Sequence, residues 1–193
     1  MKAIDLGLSV KWASCNLGAN KPEEYGNYYA WGETTPKDCY NWSTYKYGSD
    51  RRELTKYCTD SDYGKDGFVD NKTVLELADD AARANLGGAW RMPTKEEWTE
   101  LREKCTWKWT TLNGFEGCIV KSHINGNSIF LPAAGYRYKY DLSFNCFSFN
   151  YWSSSIDTDC PYGAWGLRLP SYEIFNCNIR YFGQSIRPVL ANN

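Results

Sequence analysis

Apolar residues recur along this chain in two rhythms that divide it into three stretches. Through residues 1–50, short apolar runs alternate with Gly, Pro and Asn. Val10-Lys11-Trp12-Ala13 reads as a strand, and "YGNYYAWGE" (25–33) as a second, Tyr-rich strand or loop. Residues 49–74 are polar, acidic and glycine-containing, which predicts a surface excursion. Helical spacing follows: Leu75, Ala78, Ala82 and Leu86 share a face, and Gly87-Gly88 stop the run. "RMPTKEEWTELREKC" (91–105) predicts a second helix more sharply. Thr94 is the N-cap, Glu97 closes a capping box, Pro93 staples onto Trp98, and Trp98, Leu101 and Cys105 form one apolar face. From Cys105 onward the period becomes two. Asn113-Gly114 and Asn125-Gly126 each lie between alternating segments, a strong hairpin signal because both central turn positions want positive φ. The outline is strands, two helices, then a β-rich half: α+β, one domain over 1–193, with no internal repeat.

Composition narrows the function classes. A chain of 193 residues is long enough for a substantial core. Its net charge of -1 leaves no basic excess for nucleic acid or an anionic membrane. No apolar run approaches the roughly 18 to 20 residues of a membrane span, and the opening residues lack a signal peptide's apolar core, so no direct membrane insertion is expected. The eight cysteines are never closer than 13 residues, which excludes Cys-x-x-Cys and zinc-finger spacing. Free, mostly buried thiols are the leading reading and a disulfide the alternative.

Candidate chemistry is sparse. His123, the sole histidine, lies beside the Asn125-Gly126 turn, and no Gly-x-Ser-x-Gly elbow exists, so the expectation is a protein that is not an enzyme and needs no cofactor. Asp60, Asp62, Asp66 and Asp70 offer oxygens suited to calcium. The EF-hand frame fails, however. Counting from Asp60 puts Lys65 at the sixth position and Asn71 at the twelfth; counting from Asp62 puts Gly64 at a ligand position and Thr73 at the twelfth. A hydrated acidic loop is expected, with calcium as the alternative.

The order of several motifs resembles a known family. "GGAWRMPTKEEWTEL" (87–101) is similar to the helix entry of formylglycine-generating-enzyme-like C-type lectin folds. "IFLPAAGYR", "YWSSS", "AWGLRL" and "GQSIRPV" look like later landmarks of that fold in gut-bacterial major paralogous surface domains. "LGLSVKWASCNLGA" and "YYAWGETT" resemble the family's opening, so the likeness covers nearly the whole chain. It implies a C-type lectin fold with two helices packed on antiparallel sheets. It also implies exposure on a bacterial envelope, pilus or virion, in a gut bacterium or bacteriophage. Formylglycine-generating enzymes work through a closely placed cysteine pair near the C-terminus. Cys160 and Cys177 lie 17 residues apart with no such arrangement in sequence, so the activity is not carried over. The Glu-Pro-Asn, Gln-Pro-Asp and Trp-Asn-Asp triplets of calcium-dependent lectins are absent as well.

Some domains of this family are variable proteins of diversity-generating retroelements, in which adenine-directed mutagenesis rewrites chosen codons near the 3′ end. The resemblance therefore implies a variable ligand-binding region, here 138–182. Its candidate positions are Tyr138, Tyr140, Leu142, Phe144 and Cys146, alternate residues that share one side if extended. Ile156, Cys160, Tyr162, Gly163, Gly166 and Arg168 follow, then Tyr172, Phe175, Cys177, Ile179 and Phe182. Glu173 is excluded because the mutagenised codons do not yield it. A core-facing strand is the competing reading for both groups. Trp152, Trp165 and Arg187 are assigned to the scaffold, Arg187 meeting a carboxylate or carbonyls. The expected partner is a protein or glycan on another cell or surface. The alternatives are a surface adhesin or structural domain of fixed specificity, or an enzyme on the formylglycine-generating scaffold.

Overall fold

The computed structural model describes residues 1–143, 149–169 and 173–192, with the backbone alone at 149, 169 and 173–176. Short antiparallel sheets and two helices build it, an α+β arrangement. β1 (Ala3–Ile4), β2 (Val10–Ala13), β12 (Val189–Ala191) and β3 (Trp90–Arg91) form a sheet in that order, so segments near both ends of the chain lie side by side. Val189 stands opposite Trp12 on one flank and Arg91 on the other. β4 (Cys105–Leu112), β5 (Phe115–Ser122) and β6 (Ser128–Pro132) form a meander. β7 (Tyr136–Tyr138) pairs with β8 (Asp141–Ser143), and β10 (Gly163–Leu169) lies between β9 (Phe149–Ile156) and β11 (Glu173–Ile179).

Local chemistry explains most boundaries. Helix α2 (Lys95–Lys104) begins at the expected capping box: Thr94 Oγ1 accepts from the Glu97 N–H, and Glu97 accepts from the Thr94 N–H. Its Trp98 and Leu101 are buried. Helix α1 is shorter than the spacing predicts, covering only Ala81–Leu86 after a 3-10 turn at Leu77–Asp79. The Asp80 carboxylate caps the Arg83 N–H, which fixes the start there, and Gly87 ends the helix at φ 66°. Asn113 (φ 50°) and Gly114 (φ 87°) make the predicted two-residue turn between β4 and β5. Asn125-Gly126 does join β5 to β6, but through a five-residue loop over 123–127, with the Ser122 hydroxyl accepting from the Ile124 N–H. The predicted excursion over 49–74 is pinned inward by Leu54, Tyr57 and Cys58, all fully buried.

The Trp-Ser-Ser-Ser run is a bulge. Between Trp152, opposite Gly166, and Ile156, opposite Ala164, β9 inserts extra residues against β10. Serine hydroxyls replace the interrupted ladder: Ser153 Oγ donates to the Trp165 carbonyl at 2.8 Å and accepts from the Ser155 N–H, while Ser155 Oγ accepts from the Lys95 N–H of α2. Two buried indoles from other elements then fix this strand, and a third, its own Trp152, ties it to Tyr29. Trp31 Nε1 donates to the Ser153 carbonyl, Trp98 Nε1 to the Trp152 carbonyl, and Trp152 Nε1 to the Tyr29 carbonyl. One apolar cluster centres on Trp31 and Trp152, another on Trp12, Trp98 and Tyr151; neighbouring β9 residues join the two.

Two buried polar groups tie separate segments together. Arg187, fully buried, donates to Asn16 Oδ1 (2.9 Å) and to the carbonyls of Ala13 (3.0 Å) and Phe130 (2.7 Å). The Asp79 carboxylate accepts from Tyr47, from the Tyr57 hydroxyl at 2.6 Å and from Lys56 Nζ at 2.5 Å. Burial pushes the Asp79 carboxyl up, but those three donors outweigh it and hold it at about 2.

Arg187→Met strands at least two buried carbonyls and is expected to lower unfolding stability by roughly 3 kcal/mol in urea titration. Because Asp79 binds its proton more weakly when folded, stability should fall as pH drops from about 4 toward 2. Urea midpoints at pH 6 and pH 2.5 check this, and Asp79→Asn should narrow the difference between them.

Candidate functional site

The 138–182 region divides into positions that reach solvent and positions that the fold needs. Tyr138 and Tyr140 are exposed, Tyr140 at 74%, and Leu142 is half-buried against the core. They do not form the single extended stripe expected from their alternation. Lys139 adopts φ 53°, and the chain reverses at Lys139-Tyr140, setting Tyr138 opposite Asp141. Phe144, Cys146 and Tyr172 lie outside the described residues, as does the side chain of Phe175. Tyr162 is half-buried beside Tyr63, with ring centroids 5.7 Å apart, and Arg168 is exposed.

Four nominated positions do not lie on an open face, one of them Cys160, 9% exposed. Ile156 is 3% exposed within the main core cluster. A Cβ on Gly163 would stand 2.7 Å from Cys177 Cα, and one on Gly166 would stand 2.6 Å from the Tyr151 carbonyl oxygen. Both glycines let strands approach closely, so free replacement there is sterically closed. Trp152 and Arg187 are buried scaffold residues as expected, and Arg187 meets carbonyls and an amide. Trp165, half-buried, packs under Lys95 Nζ, 3.4 Å from its ring centroid.

Of the two readings of the cysteines, the disulfide alternative holds for one pair. Cys160 and Cys177 form a disulfide, Cα atoms 5.6 Å apart. β11 carries one extra residue against β10 between Phe175 and Asn178, and Cys177 takes φ 53° within that bulge. Asp157, 1% exposed, organises the approach: its carboxylate accepts from the Cys177 N–H at 3.0 Å and from the Asp159 N–H at 3.1 Å. The sequence separation of 17 concealed this proximity, because a bulge and an aspartate-capped turn create it. Asp157, Cys160 and Cys177 are also the one grouping of potential metal ligands among the described residues. Joined sulfurs are not thiolates, and the thiolate is the ligand form.

Other candidate chemistry disperses. The Asp70 carboxylate is taken up by the N–H groups of Tyr57, Cys58 and Lys72, and Asp60 by that of Asp62, so the four aspartates do not converge on a calcium-like cage. His123 Nε2 contacts Thr106 Oγ1 at 2.8 Å. Burial pushes the Cys105 thiol up to about 11 and raises that of Cys58, away from the thiolate at neutral pH. Among the described residues, no helix is long and apolar enough to cross a membrane.

What the region does assemble is a concavity of about 260 Å³ beside β10 and β11. Four nominated residues line it: Arg168, Cys177, Ile179 and Phe182. Four more do so that sequence reasoning missed, namely Tyr136, Asn150, Asn178 and Gln184. The missed signal was a carboxamide inside a strand or beside a buried turn, a residue type that seldom goes inside without a purpose. Next to the concavity runs an aromatic band in which Phe182 meets Tyr136 (5.2 Å), Tyr138 (5.7 Å) and Tyr181 (5.0 Å) between ring centroids. No family model, curated protein or solved structure matches this chain.

Proposed function

We propose that this is a non-catalytic ligand-binding domain of C-type lectin type, whose 138–182 region displays a recognition surface diversified by a retroelement. The observation that carries the reading is the concavity lined by Arg168, Cys177, Ile179 and Phe182, with the Tyr138 and Tyr140 hairpin nearby in sequence and exposed. The largest fully buried side chains, among them Trp12, Trp31, Trp98 and Arg187, all lie outside the nominated set. Tyr and Phe bring contact area at low side-chain entropy cost, as in antibody paratopes, and a few aromatic anchors dominate such interfaces. The partner is a protein or glycan presented on another surface. Ile156, Gly163 and Gly166 belong to the frame in this reading.

Two experiments test it. The coding region should have nearby a near-copy of its last hundred or so bases, differing mainly where the copy carries adenine, beside a reverse transcriptase gene; its absence would favour an adhesin of fixed specificity. Replacing Tyr138, Tyr140 and Arg168 together with Ser should move the melting temperature by no more than about 3 °C. A drop beyond about 10 °C would assign those side chains to folding.

A second reading, an enzyme on the formylglycine-generating scaffold, is favoured by one observation, the juxtaposition of Cys160 and Cys177. Turnover of cysteine-containing peptides, measured on the mildly reduced protein, should be absent. Activity that disappears in the Cys160→Ser, Cys177→Ser double variant would establish the enzyme instead.

A further inference from the structure

The concavity beside β11 has a floor and walls of different chemistry. Asn150, Asn178 and Gln184 are at most 8% exposed and contribute three uncharged carboxamides. Tyr136, Ile179 and Phe182 are half-buried and contribute apolar surface. Gln184 is held firmly: its backbone exchanges two hydrogen bonds of 3.0 Å with Tyr29, and its Nε2 donates to Asn178 Oδ1 at 3.2 Å. Gly166 makes room for that pair, since a Cβ there would stand 3.2 Å from Asn178 Nδ2. Yet Gln184 Oε1, on a side chain 1% exposed, has no hydrogen-bond partner among the described residues. A buried acceptor left empty is destabilising, so this floor is incomplete.

We propose that the concavity is a subsite for a phenol-type group, the side chain of a tyrosine on a protein partner, with its hydroxyl on the Gln184–Asn178 carboxamide pair and its ring between Ile179 and Phe182. This rests on the recognition-face reading and names the chemistry one part of that face selects. A carboxylate only accepts, so it cannot fill an empty acceptor. An ammonium would lose its hydration against Ile179 and Phe182. A sugar ring carries hydroxyls on every side and would strand some of them against Ile179 and Phe182. A phenol has one polar tip and an apolar body, and its hydroxyl can donate to the empty Gln184 acceptor.

The test uses the isolated protein and defined probes, so its failure is separate from failure of the retroelement reading, which is decided in the DNA. N-acetyl-L-tyrosinamide, titrated against isotopically labelled protein by NMR, should shift the side-chain amide signals of Gln184 and Asn178 at millimolar concentration. N-acetyl-L-phenylalaninamide, lacking only the hydroxyl, should bind about tenfold more weakly. In Gln184→Met the two probes should bind equally. If that variant does not fold, Phe182→Ser serves in its place and should lose the tyrosine probe. Equal affinity of the two probes for the native protein, undiminished discrimination in Gln184→Met, shifts confined to another face, or methyl glucoside binding as tightly as the tyrosine probe would each overturn the proposal.

Discussion

A guanidinium with no carboxylate partner among the described residues holds this fold together. Burial pushes the pKa of Arg187 down, yet the group keeps its place by donating to acceptors on three separate parts of the chain: β2, the segment after it, and β6. Asn16, which accepts one of those bonds, donates to the Tyr151 hydroxyl, and that hydroxyl donates to the Pro132 carbonyl. The network thus reaches β9, the strand that the Trp31 and Trp98 indoles also grip. Arg180 repeats the device on the other side. It is fully buried, donates to the carbonyls of Lys56 and Tyr57, and lies over the Trp31 ring. A planar fork of donors suits scattered backbone carbonyls better than a lysine ammonium, because its geometry is fixed in advance.

With the interior secured by such residues, exposed positions such as Tyr140 at the β7–β8 turn have steric freedom to vary. That freedom has limits set by strand spacing rather than by polarity. At Gly163 and Gly166 neighbouring backbone occupies the space a side chain would need, whereas Tyr140 meets mostly solvent. The disulfide sits at the boundary. Both of its cysteines were nominated for the face, yet Cys160 is buried, and together they secure the loop that begins at Asp157 against β11.

What could be read from the sequence was what nearest neighbours decide. The capping box of Thr94 and Glu97 and the Asn113-Gly114 turn depend on residues two or three apart, and both formed as the pattern requires. Readings that assumed continuity failed where one residue broke it. Asp80 offered a better helix start than Leu75, and Lys139 in the left-handed region folded an apparent strand into a hairpin. The Ser122 hydroxyl helped turn a two-residue turn into a longer loop. The disulfide, the serine bulge and the carboxamide floor rest on register between strands far apart in sequence, which no local pattern encodes. Of the candidate site, the residue types at the rim were legible and its floor was not.

The position of β12 between β2 and β3 has a consequence for how the molecule is made. The sheet cannot be completed until residues 189–191 have emerged to join partners laid down near the start and middle of the chain. The β4–β5–β6 meander needs only near neighbours and is free to form during synthesis; the frame that Arg187 locks must wait. Every residue of the 138–182 region is therefore translated before the scaffold closes, and the nascent chain carries its tyrosines and cysteines through an interval in which nothing yet separates inside from outside.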